Sequence, residues 1–367
     1  MIQMIALFLL VLAIESTHAA EWHVNPEVGS DKAAGSMAEP LATVQQAVKS
    51  ASEGDTIYLH PEGAVYRQSV TLHSRSNLII EGQGVTLDGA DPLDSEGWET
   101  VEPDLFRKQL RRTPMDRHLL IVDGVMQRMG RTQSANSPDF PPIGQLKSGE
   151  FRFENIDEKT GWLYVRGSID KLQWSTRVNG LATGGKCRNI TVRNLHTRNF
   201  LNDGFNIHGD CRGLVFENIT GYDCFDEGFS AHETSECVIE HGRFYGNENG
   251  IADVNAAETI YRHCEFRDNV NTDVLLIGLQ HQLVDCTILN STTAAALVAG
   301  PRTADQPFAL QLERVAISTE GKQQRARVRV NGGTLTATDC KLTNVDFVTI
   351  GAEVKSTGLQ IVNDEEQ

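Results

Sequence analysis

One feature limits the folds open to this chain more than any other: it repeats itself. Segments starting at Cys187, Cys211, Ser235, Ala257 and Leu279 are 24, 24, 22 and 22 residues apart. Each holds short β-type alternations broken by Asn, Asp or Gly, and none holds a 3.6-residue helical period. When the segments are stacked, Ile190, Leu214, Val238 and Ile260 fall in one column, read as an inward apolar row. Asn199, Asp223, Asn247 and Asn269 fall in another, read as a turn row whose amides can bond along the stack. A segment of this size cannot bury its apolar face alone, so the segments must stack as a solenoid. Coils of 22 to 24 residues with three short strands predict an all-β fold, a right-handed parallel β-helix.

The pattern continues less regularly through Thr56–Leu59, Val70–Leu72, Leu78–Ile80 and Val85–Leu87 upstream, and through 326–350 downstream. Before the first of these, Pro40 to Ser52 reads as an amphipathic helix with Leu41, Val44 and Val48 on one face. It is expected to cap the open end of the solenoid, where bare strand edges would invite aggregation. Residues 92–178 lose the period and are read as an inserted β subdomain, with strands around Leu119–Val122 and Trp162–Val165. The expected organisation is a leader over 1–20, a capping helix and first coils over 21–91, the insert over 92–178 and the main coils over 179–367.

The leader is inferred from an apolar run, Ile5 to Ile14, followed by small residues up to Ala20. The run is too short to span a bilayer, which needs about 20 residues. A secreted or periplasmic protein with no membrane span is expected. The seven cysteines follow the coil spacing, as in Cys187 and Cys211 or Cys264 and Cys286, and are read as small buried fillers rather than disulfides. With 33 Lys+Arg against 49 Asp+Glu, a net charge of −16, the chain lacks the cationic footprint that nucleic acid requires.

Three stretches carry a family likeness: Trp22-His23-Val24 through Gly29-Ser30-Asp31, Pro40-Leu41-Ala42-Thr43-Val44-Gln45-Gln46-Ala47, and Gly54-Asp55-Thr56-Ile57-Tyr58-Leu59. They resemble the opening of secreted bacterial β-helix proteins of the pectate-lyase-like superfamily. Val122-Asp123-Gly124 and Gly161-Trp162-Leu163-Tyr164 are similar to insertions in its carbohydrate-active members. The resemblance implies polysaccharide lyases, glycoside hydrolases or uronate epimerases, often using Ca²⁺. It speaks to fold more than to activity, because one solenoid hosts many reactions and some binders.

The richest constellation spans two adjacent coils, 202–210 and 226–233. If Phe205 and Phe229 point inward, then His208 and His232 point outward, and Asp203 stacks on Glu227 with Asn249 continuing the column. Two imidazoles and two carboxylates are then expected on one small patch. His208 and His232 are the candidate bases, with Asp203 and Glu227 for acid work. Asp203, Asp226 and Glu227 are the candidate ligands for Ca²⁺, since crowded carboxylates either raise a pKa or bind a cation. The bland alternative is that Asp and Asn before Gly are ordinary turn residues.

Uronate epimerases of the superfamily carry a Tyr-Gly-Phe-Asp-Pro-His-Glu-like run. Residues 227–233 keep Gly228, Phe229, His232 and Glu233, but have Glu227 for the Tyr and Ser230 for the Asp. Two basic groups stand out from the acidic whole. One runs from Arg107 and Lys108 through Arg111, Arg112, Arg117 and Arg128 to Arg131; the other is Arg325, Arg327 and Arg329. Arg111, Arg112, Arg327 and Arg329 are the candidate contacts for an anionic glycan, because guanidinium pairs with carboxylate or sulfate. The leading expectation is a secreted protein that cleaves a polysaccharide, neutral or acidic, as lyase or hydrolase. The alternatives are a β-helix that only binds glycan or a surface partner and, behind it, a uronate epimerase.

Overall fold

A computed structural model describes residues 19–130, 141–291, 295–321 and 324–364; the expected leader as far as His18, and Arg131, fall outside them. The chain is an all-β parallel solenoid of about 13 turns. Each regular coil lays one strand in a nine-stranded parallel sheet and two in a second parallel sheet. One coil runs Phe205–Ile207, Leu214–Glu217 and Thr220–Tyr222; the next runs Glu227–Ala231, Glu236–Glu240 and Arg243–Tyr245. The register keeps like with like, with Phe205 beside Phe229, Phe229 beside Ile251 and Ile251 beside Val274. All four are fully buried. The seven cysteines are buried free thiols, as fillers of stacked coils should be.

A single left-handed residue makes the corner between the two strands of the second sheet. Asn194, Asn218, His241, His263, Asp285, Arg314 and Asp339 occupy it on successive coils, all with φ between 50° and 55°. A count of 24 residues would align Glu217 with His241; hydrogen-bond register puts Asn218 there instead.

The same one-residue offset corrects both predicted columns. Ile190 and Leu214 do point inward, but Cys237 and Thr259 continue their row, so Val238 and Ile260 lie outside. Asn199 and Asp223 are left-handed corner residues. Asn247 and Asn269 sit one position further in, fully buried, with Asn247 Nδ2 donating to Asn269 Oδ1 at 3.2 Å. The amide ladder therefore exists at two of the four predicted positions, Asn247 and Asn269.

The N-terminal helix is shorter than expected, Val44–Ser50. Thr43 caps it by accepting from the Gln46 amide at 3.2 Å, which fixes its start at Val44, four residues after Pro40. Leu41 instead bridges to Val24. Val44, Ala47 and Val48 are buried against the first coils.

Between the early and later coils stand two four-stranded antiparallel sheets. The first includes Ala90–Pro92, Arg117–Val122 and Gln173–Ser175; the second includes Leu105–Arg111 and Thr160–Arg166. They enclose their own core of Leu120, Phe151, Phe153, Leu163, Val165, Leu172 and Trp174. Leu119 packs on Leu201 and Phe225 of the coils. Among the described residues, no helix is long and apolar enough to cross a membrane.

Candidate functional site

Side chains on the outer face of the nine-stranded sheet are the ones free to meet a ligand. Phe205, Ile207, Phe229 and Ala231 face the core, so Asn206, His208, Ser230 and His232 face out. Alternation alone would turn Asp203 and Glu227 inward. It breaks at Gly204 and Gly228. A Cβ on Gly228 would lie 2.7 Å from the Gly221 carbonyl oxygen and 2.8 Å from Asn247 Nδ2, inside the solenoid. With glycine taking the inward place, Asp203, Glu227 and Asn249 turn outward in register.

There they build a closed cluster with Asp226. Ligand oxygens of Asp203, Asp226 and Glu227 lie within 4.8 Å of one another. Asp203 Oδ2 accepts from Ser230 Oγ at 2.7 Å and Asn206 Nδ2 at 2.5 Å. Glu227 Oε1 accepts from Asn249 Nδ2 at 2.8 Å, and Asn249 Oδ1 accepts from Asn271 Nδ2 at 3.0 Å. Asp203 and Asp226 are 1% exposed and Glu227 9%.

The insert supplies the counter-charge. Arg117, 4% exposed, places Nη2 2.8 Å from Asp226 Oδ2 and stacks over Phe225. Arg128 is buried beside it and donates to the carbonyls of Cys224 and Gly246. Burial, together with the charges of Asp226 and Asp203, pushes the Glu227 carboxyl well above its ordinary range. Burial and Asp203 raise Asp226 as well, against the pull of Arg117. Glu227 is thus the carboxyl that keeps a proton.

Glu227 also lines a groove of about 480 Å³ across three adjacent strands. Ala252, Val254, Leu275 and Ile277 also line it, with Asn249, Asn255, Asn271 and Arg302 among its polar groups, and His232 at its far side. His208 and His232 stack face to face, centroids 4.1 Å apart, both half-buried. His208 Nδ1 lies 3.0 Å from Glu233 Oε1. Burial and the neighbouring His208 push the His232 pKa down to about 4. Val254 and Ile277 continue the outward His column; Val330 faces the core.

The expected single patch divides in two. Glu227 begins its strand and His232 follows its end, their backbones about 16 Å apart at 3.3 Å per residue. The candidate glycan contacts lie elsewhere. Arg111 and Arg112 line a separate cavity of about 480 Å³ in the insert beside Trp174, with Arg112 paired to Asp116 at 2.6 Å. Arg327 is on the outer face of the nine-stranded sheet, four rungs or about 19 Å beyond Glu227. Arg329 is on the same face, bonded to Asn331 at 2.9 Å. Sequence reasoning missed Arg117 and Arg128 as partners of the cluster, since no periodicity ties the insert to a coil.

The spacing of the three carboxylates is close enough to hold a metal ion. Ca²⁺ takes six to eight oxygens. Three carboxylates whose oxygens already accept from Ser230, Asn206, Asn249 and Arg117 fall short of that shell.

No family model and no curated protein matches the chain. Among solved structures, the complex of XylC with xylose superposes with a TM-score of 0.58 at 12% identity, over 90% of this chain and 69% of that one. The A-module of the Azotobacter vinelandii mannuronan C-5 epimerase AlgE4 aligns at 11% identity and a TM-score of 0.36, over 84% of this chain and 78% of its own. At such identities the likeness is one of fold, and by fold this chain is a right-handed parallel β-helix.

Proposed function

We infer that the chain is a carbohydrate-active enzyme that cleaves a polysaccharide or oligosaccharide lying in the groove of the nine-stranded sheet. The observation that carries this reading is the carboxyl cluster at the groove edge, of which Glu227 alone among the three lines the groove. A carboxyl held protonated against solvent is a general acid for a leaving glycosidic oxygen, and such a group contributes about 10² to 10⁴ in rate. Asp203 and Asp226 act through it: their negative charge keeps the proton on Glu227, and Arg117 keeps the cluster from taking up more. His208 and His232 serve as binding groups at the far end of the groove. Ca²⁺ has no step in this reading.

The test is to incubate the protein with a panel of neutral, acetylated and uronate glycans, with Ca²⁺ or with EDTA, while following new reducing ends and unsaturated-product absorbance together. Reducing ends alone identify a hydrolase and both signals a lyase, and the rates should be the same with EDTA. Silence across the panel with no glycan bound would sink the reading in favour of neither product.

A further inference from the structure

The groove says something about which glycan it takes, an inference that rests on the reading just given. Ala252 is in register with Leu275, and Val254 with Ile277, so four aliphatic side chains form a two-by-two patch on the outer face of the sheet. Val254, Leu275 and Ile277 are half-buried rather than covered. Among the described lining residues there is no Phe, Tyr or Trp. A pyranose face is usually met by an aromatic plate, whereas branched aliphatics gain most by covering methyl groups.

The charges point the same way. Glu227 and Glu248 line the groove, and Arg302 is the one Arg or Lys among the described lining residues. Its guanidinium already bonds the Asn255 side chain. The imidazole of His232 stays uncharged near neutral pH, because burial and the neighbouring His208 both disfavour its charged form. A polyuronate would bring a carboxylate on every unit to a groove that offers one Arg, already bonded to Asn255. The amides of Asn249, Asn255 and Asn271 along the same groove suit hydroxyl and amide groups instead.

We propose that this groove binds an uncharged glycan whose units carry methyl groups, as an acetyl or a 6-deoxy substituent, seated on Val254, Leu275 and Ile277. Binding is measured by calorimetry on the Glu227→Gln variant, so that cleavage does not consume the ligand. The probes are chitohexaose against cellohexaose for the acetyl source, a rhamno-oligosaccharide against a manno-oligosaccharide for the 6-deoxy source, and oligogalacturonate for charge. One methyl-bearing member is expected to bind at least tenfold tighter than its unmodified counterpart and than the uronate. The paired substitution Leu275→Asn and Ile277→Thr, both on the outer face, should abolish that preference without lowering the melting temperature by more than a few degrees.

Tighter binding of oligogalacturonate, or equal binding within both matched pairs, overturns the assignment while leaving cleavage in the groove standing. A methyl preference that survives the paired substitution also overturns it. Failure of every glycan to bind, together with no cleavage by the unaltered protein, overturns the underlying functional reading instead.

Discussion

Arg117 of the insert and Asp226 of the coils form an ion pair of 2.8 Å with both side chains almost wholly out of solvent. Breaking a buried pair from one side leaves the other charge uncompensated, at a cost of about 3–5 kcal/mol. Arg117→Met should lower stability by that order in urea unfolding. It should also move the alkaline limb of the pH–activity profile upward, since the cluster loses the cation that holds its proton affinity down. Arg117→Lys should recover most of the position of that limb. An unchanged limb in Arg117→Met would disconnect the insert from the acid cluster.

Glu227 must be protonated to act as an acid, and its folded-state pKa is raised. Activity should therefore be present at low pH and fall as pH rises through that raised value. Glu227→Gln should lose about 10² to 10⁴ in turnover while still binding glycan. Turnover within threefold of the parent would remove Glu227 from the reaction.

Inside the solenoid, Asp253 accepts from Thr259 Oγ1 at 2.7 Å, Tyr261 OH at 2.8 Å and the Ala231 amide at 3.1 Å. Burial raises its pKa to about 7 from 3.8. Between those values the folded state holds a proton that the unfolded state has released. The carboxyl thus stabilises the fold at acid pH, and that contribution is lost as pH rises toward 7, by about 1.4 kcal/mol per unit of pKa difference. His281 and His232, with lowered pKa values, pull the opposite way below 6.5. The quantity to measure is therefore the stability difference between the parent and Asp253→Asn across pH 4.5 to 7.5. It should shift steadily in favour of the variant as pH rises, and a flat difference contradicts the assignment.

Gly228→Ala would place a methyl group within 3 Å of two backbone oxygens and the Asn247 amide. Overpacking of this kind costs about 1–3 kcal/mol. Because Gly228 keeps Glu227 turned outward, activity should fall more than stability accounts for at a temperature where the variant is folded. Parallel losses would mean that the glycine serves packing alone.

The 24-residue spacing of Phe205 and Phe229, and of His208 and His232, is written in the chain, and the structure keeps both pairs in register or stacked. Between Leu214 and Cys237 the register is 23 residues, not 24, so a column drawn by counting slips by one residue. That is why Val238 and Ile260 were read as core and why Asn247 was aligned with Asp223. The corner is set by a backbone conformation that Asn, His, Asp and Arg all adopt here, so side-chain identity does not mark it. The carboxyl cluster was legible as a triplet of acids near glycine. Its distance from the histidines was not, because it depends on which residues lie at the two ends of one strand. Its pairing with Arg117 depends on the docking of a segment with no repeat.

The insert leaves and rejoins the solenoid through strands that pair with each other, Asp91 beside Trp174 and Ala90 beside Ser175. The coil stack is therefore complete without it, and the 80-odd residues between hang from a closed seam. What hangs there reaches back to the acids through Arg117 and Arg128. A lineage could exchange that segment wholesale and so retune how strongly one fixed set of carboxylates holds its proton, without redrawing a single coil.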